Sequence, residues 1–154
     1  MKNLVISKPF GTAGEYIIQQ EKNDKDKYAL KYTDKKLKIE LIVYPGGDTD
    51  GGSVPNFAKG VFDPLLDKTS HGFIFHDELW RHRMYYEKVY KEIGLTFSET
   101  NRIMKEIHKK AGCNWAERNL TRTAVQFFGY WKWTHPSDRI INLDNPTLRI
   151  KKIK

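Results

Sequence analysis

At residues 70–80 the chain reads Ser-His-Gly-Phe-Ile-Phe-His-Asp-Glu-Leu-Trp. Residues three and four apart share one face of a helix, so Phe73, His76 and Trp80 are expected to form a stripe, with Asp77 beside His76. The stretch therefore predicts a helix that sets an imidazole among aromatic rings and next to a carboxylate. Such a histidine either donates to a backbone carbonyl in the core or takes part in chemistry, and the sequence leaves both interpretations open.

The segment before this helix is rich in turn-forming residues. Residues 48–55 read Asp-Thr-Asp-Gly-Gly-Ser-Val-Pro, inside a glycine-rich loop predicted at 45–69. Short polar side chains cap their own backbone in such turns, and glycines supply unusual dihedral angles. The residues of the turn itself are Asp50, Gly51, Gly52 and Ser53. One role for Asp77 is to accept hydrogen bonds from backbone amides of this turn, which would pin the loop to the helix.

The part of the chain before the loop, residues 1–44, has the alternation of β structure. Apolar residues recur at every second position through residues 28–32 and 37–43, which predicts antiparallel strands with one buried face. A hairpin turn is predicted at residues 33–36. Two shorter β-prone runs precede these strands, at residues 4–7 and 16–20.

Three helical segments are predicted after the loop. The first runs from Ser70, capped by Thr69 or Ser70 itself, to Gly94, with room for a kink. The second begins at a Ser98 cap and ends near Gly112, and the third spans about residues 114–129. The tail, residues 131–154, is expected to form one or two strands or an extended arm. The prediction is one α+β domain over residues 1–154, with strands in 1–44 and helices in 70–130.

Composition limits the classes of function. The formal net charge of +8 permits binding to nucleic acid, anionic lipid or an acidic protein. No apolar run is long enough for a transmembrane segment, so synthesis in the cytoplasm is expected. The single cysteine excludes an internal disulfide and a multi-cysteine zinc site. Nucleic-acid binding requires one patch built from Lys105, Lys109, Lys110, Arg118 and Arg122.

Two groups of side chains outside the His-Asp pair also have open interpretations. The aromatic side chains after Gly129 either pack against the core of the protein or offer an aromatic surface to a partner. They are Tyr130, Trp131 and Trp133. His108 shares a predicted helix face with Asn101 and Met104, so it either extends a polar cluster or is a surface histidine, and the surface position is the favoured prediction.

The motifs occur in a recognisable order along residues 28–130. They are Val43-Tyr44-Pro45-Gly46, Thr49-Asp50-Gly51-Gly52-Ser53-Val54-Pro55, His76-Asp77-Glu78-Leu79-Trp80, Thr100-Asn101-Arg102-Ile103-Met104 and Val125–Gly129. In this order they resemble an uncharacterised family of small proteins from tailed phages and prophages, with TDxxSxP and HDxLY motifs. Trp80 replaces the family's usual tyrosine, and Asn101 stands where its second helix normally has an aspartate.

The resemblance implies an accessory or virion protein, for example of the tail, baseplate or neck. Its partners would be other virion proteins or further copies of itself. It would be found in the host cytoplasm during infection, and in the particle if it is a virion component.

The His-Asp pair also resembles that of phospholipase A2 enzymes, which implies a second function. By that resemblance His76 would be the base that activates water, Asn101 would orient it, and Asp77 would bind calcium with help from Asp48 and Asp50. A hard cation takes oxygen ligands, and a neutral imidazole accepts a proton near its working pH. Asparagine orients an imidazole but stabilises an imidazolium less well than a carboxylate does.

Three functions are thus predicted as alternatives. In the first, the His-Asp constellation holds the loop in place within a phage protein. In the second, it catalyses calcium-assisted hydrolysis of an ester or amide. In the third, the positive charge binds nucleic acid or a host factor.

Overall fold

The computed structural model describes six stretches, which are residues 6–7, 16–18, 30–44, 48–49, 67–134 and 147–154. The strands in these stretches are β1 (Ile6–Ser7), β2 (Tyr16–Ile18), β3 (Leu30–Asp34), β4 (Ile39–Val43), β5 (Asp48–Thr49) and β6 (Leu148–Lys152). The helices are α1 (Asp67–Arg81), α2 (Glu87–Ile93), α3 (Phe97–Lys110) and α4 (Trp115–Thr134). Strands come first and helices follow, which confirms the predicted α+β class.

The described strands form two antiparallel sheets, β1-β2-β5 and β3-β4-β6. In the second sheet, Leu41 of β4 pairs with Tyr32 on one side and with Ile150 on the other. The predicted tail thus returns as a strand, while residues 135–146 lie outside the described residues. The hairpin turn lies two residues later than predicted, at residues 35–38. Asp34 continues β3, and its Oδ1 accepts from the amide of Leu37 at 2.9 Å.

The inner face of the second sheet packs against the helices and forms the core. β3 contributes alternate buried residues, as the period of two predicts, whereas in β4 Ile42 is buried together with Ile39, Leu41 and Val43. Facing them, Phe75 and Leu79 of α1 and Ile103 and Ile107 of α3 are almost completely buried. The members from the sheet are Leu30, Tyr32, Ile39, Leu41, Val43 and Leu148. The core therefore lies between one sheet and the α1–α3 pair, which fixes these two helices relative to each other.

The first predicted helical segment is two helices. It breaks at residues 82–86, where a turn separates α1 from α2. Two side chains of this turn bind distant backbone carbonyls. Arg83 donates to the carbonyl of Trp133, and Tyr86 donates to that of Leu148 at 2.9 Å. The predicted end at Gly94 is correct, because Gly94 takes the left-handed conformation with φ of 68°.

Three predicted helix boundaries are wrong by a few residues. α1 begins at Asp67, so Thr69 and Ser70 lie inside the helix and do not precede it. Thr96, and not Ser98, caps α3 by accepting from the amide of Glu99. α4 continues past Gly129 to Thr134. None of the four described helices combines the length and apolar character that crossing a bilayer requires.

Candidate functional site

The three predicted site residues lie together between α1 and α3. His76 and Asp77 belong to the middle of α1, and Asn101 belongs to the first turns of α3. Their side chains are buried, with residue exposures of 8%, 5% and 0%. His76 lies one helical turn after Phe73, and its contact with Asn101 places this side of α1 against α3.

Asn101 connects three helices through one side chain. Its Oδ1 lies 3.0 Å from Nε2 of His76 on α1, and its Nδ2 donates to Oε1 of Gln126 on α4 at 2.7 Å. Since the amide nitrogen is used by Gln126, the amide oxygen faces His76 and accepts from the Nε2–H group. We call His76, Asp77, Asn101 and Gln126 the histidine cluster.

The other ring nitrogen of His76 faces a carboxylate. Nδ1 lies 3.3 Å from Oδ1 of Asp77. With Nε2 protonated toward Asn101, a proton on Nδ1 turns this contact into an imidazolium–carboxylate hydrogen bond, and its removal leaves two lone pairs facing each other. Both nitrogens of the ring are therefore directed at protein groups.

A close approach of the two helices stands beside this cluster. A Cβ atom placed on Gly72 of α1 would lie 2.2 Å from Nε2 of His108 on α3. The His108 ring also meets Phe73 edge-on, with ring centroids 5.2 Å apart. The prediction of a surface histidine is wrong, because His108 is fully buried. It occupies the space that the missing side chain of Gly72 leaves.

The predicted loop residues are only partly described. β5, which contains Asp48, lies against α1 and pairs with β2. The backbone of Asp48 is thus placed near the helix of His76. The pinned-loop interpretation concerns the turn at residues 50–53 and stays a prediction. The side chain of Asp48 is not described, and Asp50, Gly51, Gly52 and Ser53 lie outside the described residues.

The calcium hypothesis rests on ligands from that same loop. Within the described stretches, no three His, Cys, Asp or Glu side chains converge to form a metal site. Of the predicted ligands, Asp77 is the one whose side chain is described, and it faces His76. The predicted calcium site stays a prediction.

Sequence reasoning missed a second carboxylate–histidine pair at the end of α1. Glu78 is buried, and its carboxylate receives Nη1 of Arg81 at 3.1 Å and the hydroxyl of Thr147. Nδ1 of the buried His82 donates to the Glu78 carbonyl at 2.9 Å. Burial lowers the pKa of His82, with the hydrogen bond to that carbonyl opposing and the Arg81 charge adding to the effect. The sequence signal for this pair was the i, i+4 spacing of Glu78 and His82, which places both residues on one face of a helix.

A cleft of about 270 Å³ lies between β3 and α3, away from the histidine cluster. Its lining includes Tyr32, Phe75 and Ile107, with Lys31 and Lys110 beside them. Nζ of Lys110 lies 4.6 Å from the centre of the Tyr32 ring. Burial, with the nearby Asp34 carboxylate, raises the pKa of Tyr32 to about 12, so its hydroxyl stays neutral.

The predicted cationic patch is divided among different neighbours. Lys110 lies over Tyr32 of the sheet, whereas Lys105 donates to Asn119 of α4 at 2.6 Å. These two cations of the predicted set of five therefore serve intramolecular contacts. The nucleic-acid hypothesis gains no support from them.

Comparison with known protein families, with curated proteins and with solved structures finds no match to this chain. The proposed function therefore rests on the geometry of the chain's own residues and on the order of its motifs.

Proposed function

We propose that the protein is an accessory or virion component of a tailed phage, in which the histidine cluster holds the structure together and performs no catalysis. The observation that carries the proposal is that both ring nitrogens of a buried histidine are engaged by protein groups, Asn101 and Asp77. The phage assignment is supported by the order of motifs from Val43 to Gly129, which resembles that family.

A catalytic base must expose a lone pair to water or substrate. In His76, Nε2 is a donor toward Asn101 and Nδ1 faces Asp77, and the residue is 8% exposed. An interaction that ties three helices together stabilises the fold, since each hydrogen bond within it contributes about 0.5–1.5 kcal/mol. A cluster of this kind favours one arrangement of α1, α3 and α4.

A calcium-assisted hydrolase is the second candidate, and one observation favours it. Asn101 lies at the second nitrogen of His76, where the resemblance to phospholipase A2 enzymes requires an orienting group. Asp77 follows His76 directly, as a calcium ligand would. The amide of Asn101 lacks the negative charge that stabilises an imidazolium, which weighs against efficient turnover.

Matched variants of two cluster residues separate these functions. The set is His76→Leu, Asn101→Leu and Asn101→Asp, with Trp115→Ser as a control because Trp115 is largely exposed. We expect each leucine variant to lower the free energy of unfolding in urea by about 2 kcal/mol, because it leaves buried polar groups unpaired. The control should unfold like the original chain.

The same preparations are assayed for hydrolysis of phospholipid vesicles and of a nitrophenyl ester, with and without calcium. We expect no turnover by the original chain and none by Asn101→Asp. Calcium-dependent turnover that disappears in a folded His76→Leu variant would replace the proposal with the hydrolase. Mass spectrometry of purified particles from the phage that encodes the chain tests the virion assignment, and an accessory role predicts its presence in infected cells alone.

A further inference from the structure

The cleft between β3 and α3 lies along an edge of the second sheet. Among the described strands, β3 is the outermost in the order β3-β4-β6. Three consecutive residues of β3, namely Lys31, Tyr32 and Thr33, line the cleft, and the middle one is buried while its neighbours are exposed. Because successive side chains of a strand point to opposite faces, three neighbours line one cleft together where it follows the strand's edge. The cleft therefore includes backbone of β3.

Such an edge can form hydrogen bonds with a further strand. In an antiparallel pair, every second residue directs its amide and carbonyl to the partner strand, and the residues between direct theirs to the other side. In the part of the chain that the structure describes, β3 pairs with β4 and with no second strand. The backbone groups directed away from β4 are therefore placed to bind an added extended chain, as in peptide recognition by β-strand addition.

The floor of the cleft is apolar. Phe75 of α1 and Ile107 of α3 are each 1% exposed, and the ring of Tyr32 meets that of Phe75 with centroids 6.1 Å apart. The volume of about 270 Å³ falls below the range of roughly 300–1,000 Å³ that is typical of sites for whole small molecules. The cleft therefore suits one apolar side chain of a segment that lies along β3.

The rim of the cleft carries positive charge. Lys31 lies on the exposed face of β3, and the ammonium group of the exposed Lys110 lies over the tyrosine ring of the lining, 4.6 Å from its centre. The carboxylates of Asp34 and Glu106 also act on that tyrosine. Arg102 pairs with Asp34 at 2.8 Å, so among these described groups two ammonium charges stand against the one carboxylate of Glu106. The rim therefore attracts an acidic chain.

We propose that the edge of β3 binds an acidic, extended segment of a partner protein, which adds a strand to the second sheet. Side chains on the inner face of the added strand enter the apolar cleft, and those on its outer face lie beside Lys31. The preferred segment thus alternates apolar and acidic residues. A second copy of β3 is disfavoured, because it would bring its own lysine to a positively charged rim. The proposal goes beyond the proposed function and does not depend on it.

The first experiment titrates the full chain into a dye-labelled, end-blocked octapeptide in which glutamate and valine alternate, and fluorescence anisotropy measures binding. We expect a saturable interaction that weakens as salt rises from about 0.05 M to about 0.5 M, because salt screens opposite charges. Lys31→Glu and Lys110→Glu should each weaken binding by about tenfold. An octapeptide in which lysine replaces glutamate should bind the double variant and not the original chain.

Lys109→Glu is the matched control for these variants. Lys109 is exposed and precedes Lys110 directly, but it does not line the cleft. The substitution makes the same change of net charge and should leave binding nearly unchanged. All three lysines are exposed, so circular dichroism should show each variant folded like the original chain.

Two N-methylated peptides test the hydrogen bonds of the added strand. One carries methyl groups on all of its valine amides, and the other carries them on all of its glutamate amides. Because alternate amides of a strand point in opposite directions, one set faces β3 and the other faces away from it. We expect one of the two peptides to lose binding and the other to keep it.

Several results would overturn the proposal. They are the absence of binding at millimolar peptide, the same response of both N-methylated peptides, and a loss in Lys109→Glu as large as that in Lys110→Glu. Equal binding of an octapeptide of glutamate alone would show that the rim attracts charge without adding a strand. Tighter binding of a single-stranded oligonucleotide, lost in the same two lysine variants, would assign the rim to nucleic acid instead.

Discussion

Two surfaces of the helical layer have opposite chemistry. Between α1 and α3, polar side chains such as His76, Asn101 and His108 are buried and the helices approach closely. On the outside of α4, Phe127 is 77% exposed, and Tyr130 is 57% exposed although its ring also contacts Phe97. Burying polar groups costs free energy unless they are hydrogen-bonded. An apolar ring left in solvent does not gain the favourable free energy of transfer out of water. The difference teaches that the first surface stabilises the fold of the chain, whereas the exposed rings of the second contribute little to it.

Breaking the close approach should have the largest effect. In Gly72→Ala the new methyl group would lie 2.2 Å from a ring atom of the fully buried His108. Helix propensity alone would make alanine better than glycine by about 1 kcal/mol. Overpacking opposes this and should dominate, so we expect a loss of about 3 kcal/mol in the free energy of unfolding, measured in urea.

The control for Gly72→Ala removes the His108 ring that the new methyl group would meet. On a His108→Ala background the ring is gone, so Gly72→Ala should cost nothing or stabilise the protein. The coupling between the two substitutions, taken from a double-mutant cycle, should therefore be large and favourable. An equal cost of Gly72→Ala on both backgrounds would show that His108 is not what glycine accommodates.

Removing the link between three helices should have the next largest effect. Asn101→Leu leaves Nε2 of His76 and Oε1 of Gln126 without their partner. We expect a loss of about 2 kcal/mol, because a buried donor that loses its acceptor keeps its full desolvation penalty. Gln126→Ala removes only the hydrogen bond between Gln126 and Asn101, which is partly exposed. Its cost in free energy of unfolding should therefore be smaller than that of Asn101→Leu. Equal stability of Asn101→Leu and the original chain would contradict the structural function of the cluster.

The difference between these surfaces also explains what the sequence could predict. Apolar periodicity located β3, β4, α1 and α3, because burial of a face follows from local spacing. The pairing of His76 with Asn101 came from a resemblance and not from spacing, since a contact between two helices has no local signal. The burial of His108 was missed for the same reason, because it depends on the absence of a side chain at Gly72, on another helix.

A smaller effect is expected from pH at the second histidine of α1. Burial lowers the pKa of His82 below its ordinary value of 6.5. The imidazole therefore binds a proton more readily in the unfolded chain than in the folded chain. Above pH 6.5, His82 therefore causes no loss of stability. As pH falls below 6.5, proton binding favours the unfolded chain, so His82 lowers the free energy of unfolding. Glu78 lies near enough to the ring, at 3.5 Å, to moderate the loss.

His82→Asn isolates this contribution, because its amide group can still donate to the Glu78 carbonyl. The free energy of unfolding is measured from pH 7.5 to 5 for both chains. The original chain should lose stability below pH 6.5 more steeply than the variant, and the difference between the two curves should be flat above it. Parallel curves over the whole range would show that His82 takes up its proton equally well in the folded chain.

The smallest effect on folding should come from Phe127, on the exposed side of α4. Phe127→Ala removes a large ring, but the ring is 77% exposed, so the free energy of unfolding should change by less than about 0.5 kcal/mol. Val125→Ala is the matched variant two residues away, buried against Phe73 and Met104, and should cost about 2 kcal/mol although it removes fewer atoms. A cost for Phe127→Ala as large as that for Val125→Ala would contradict the exposed position of the Phe127 ring.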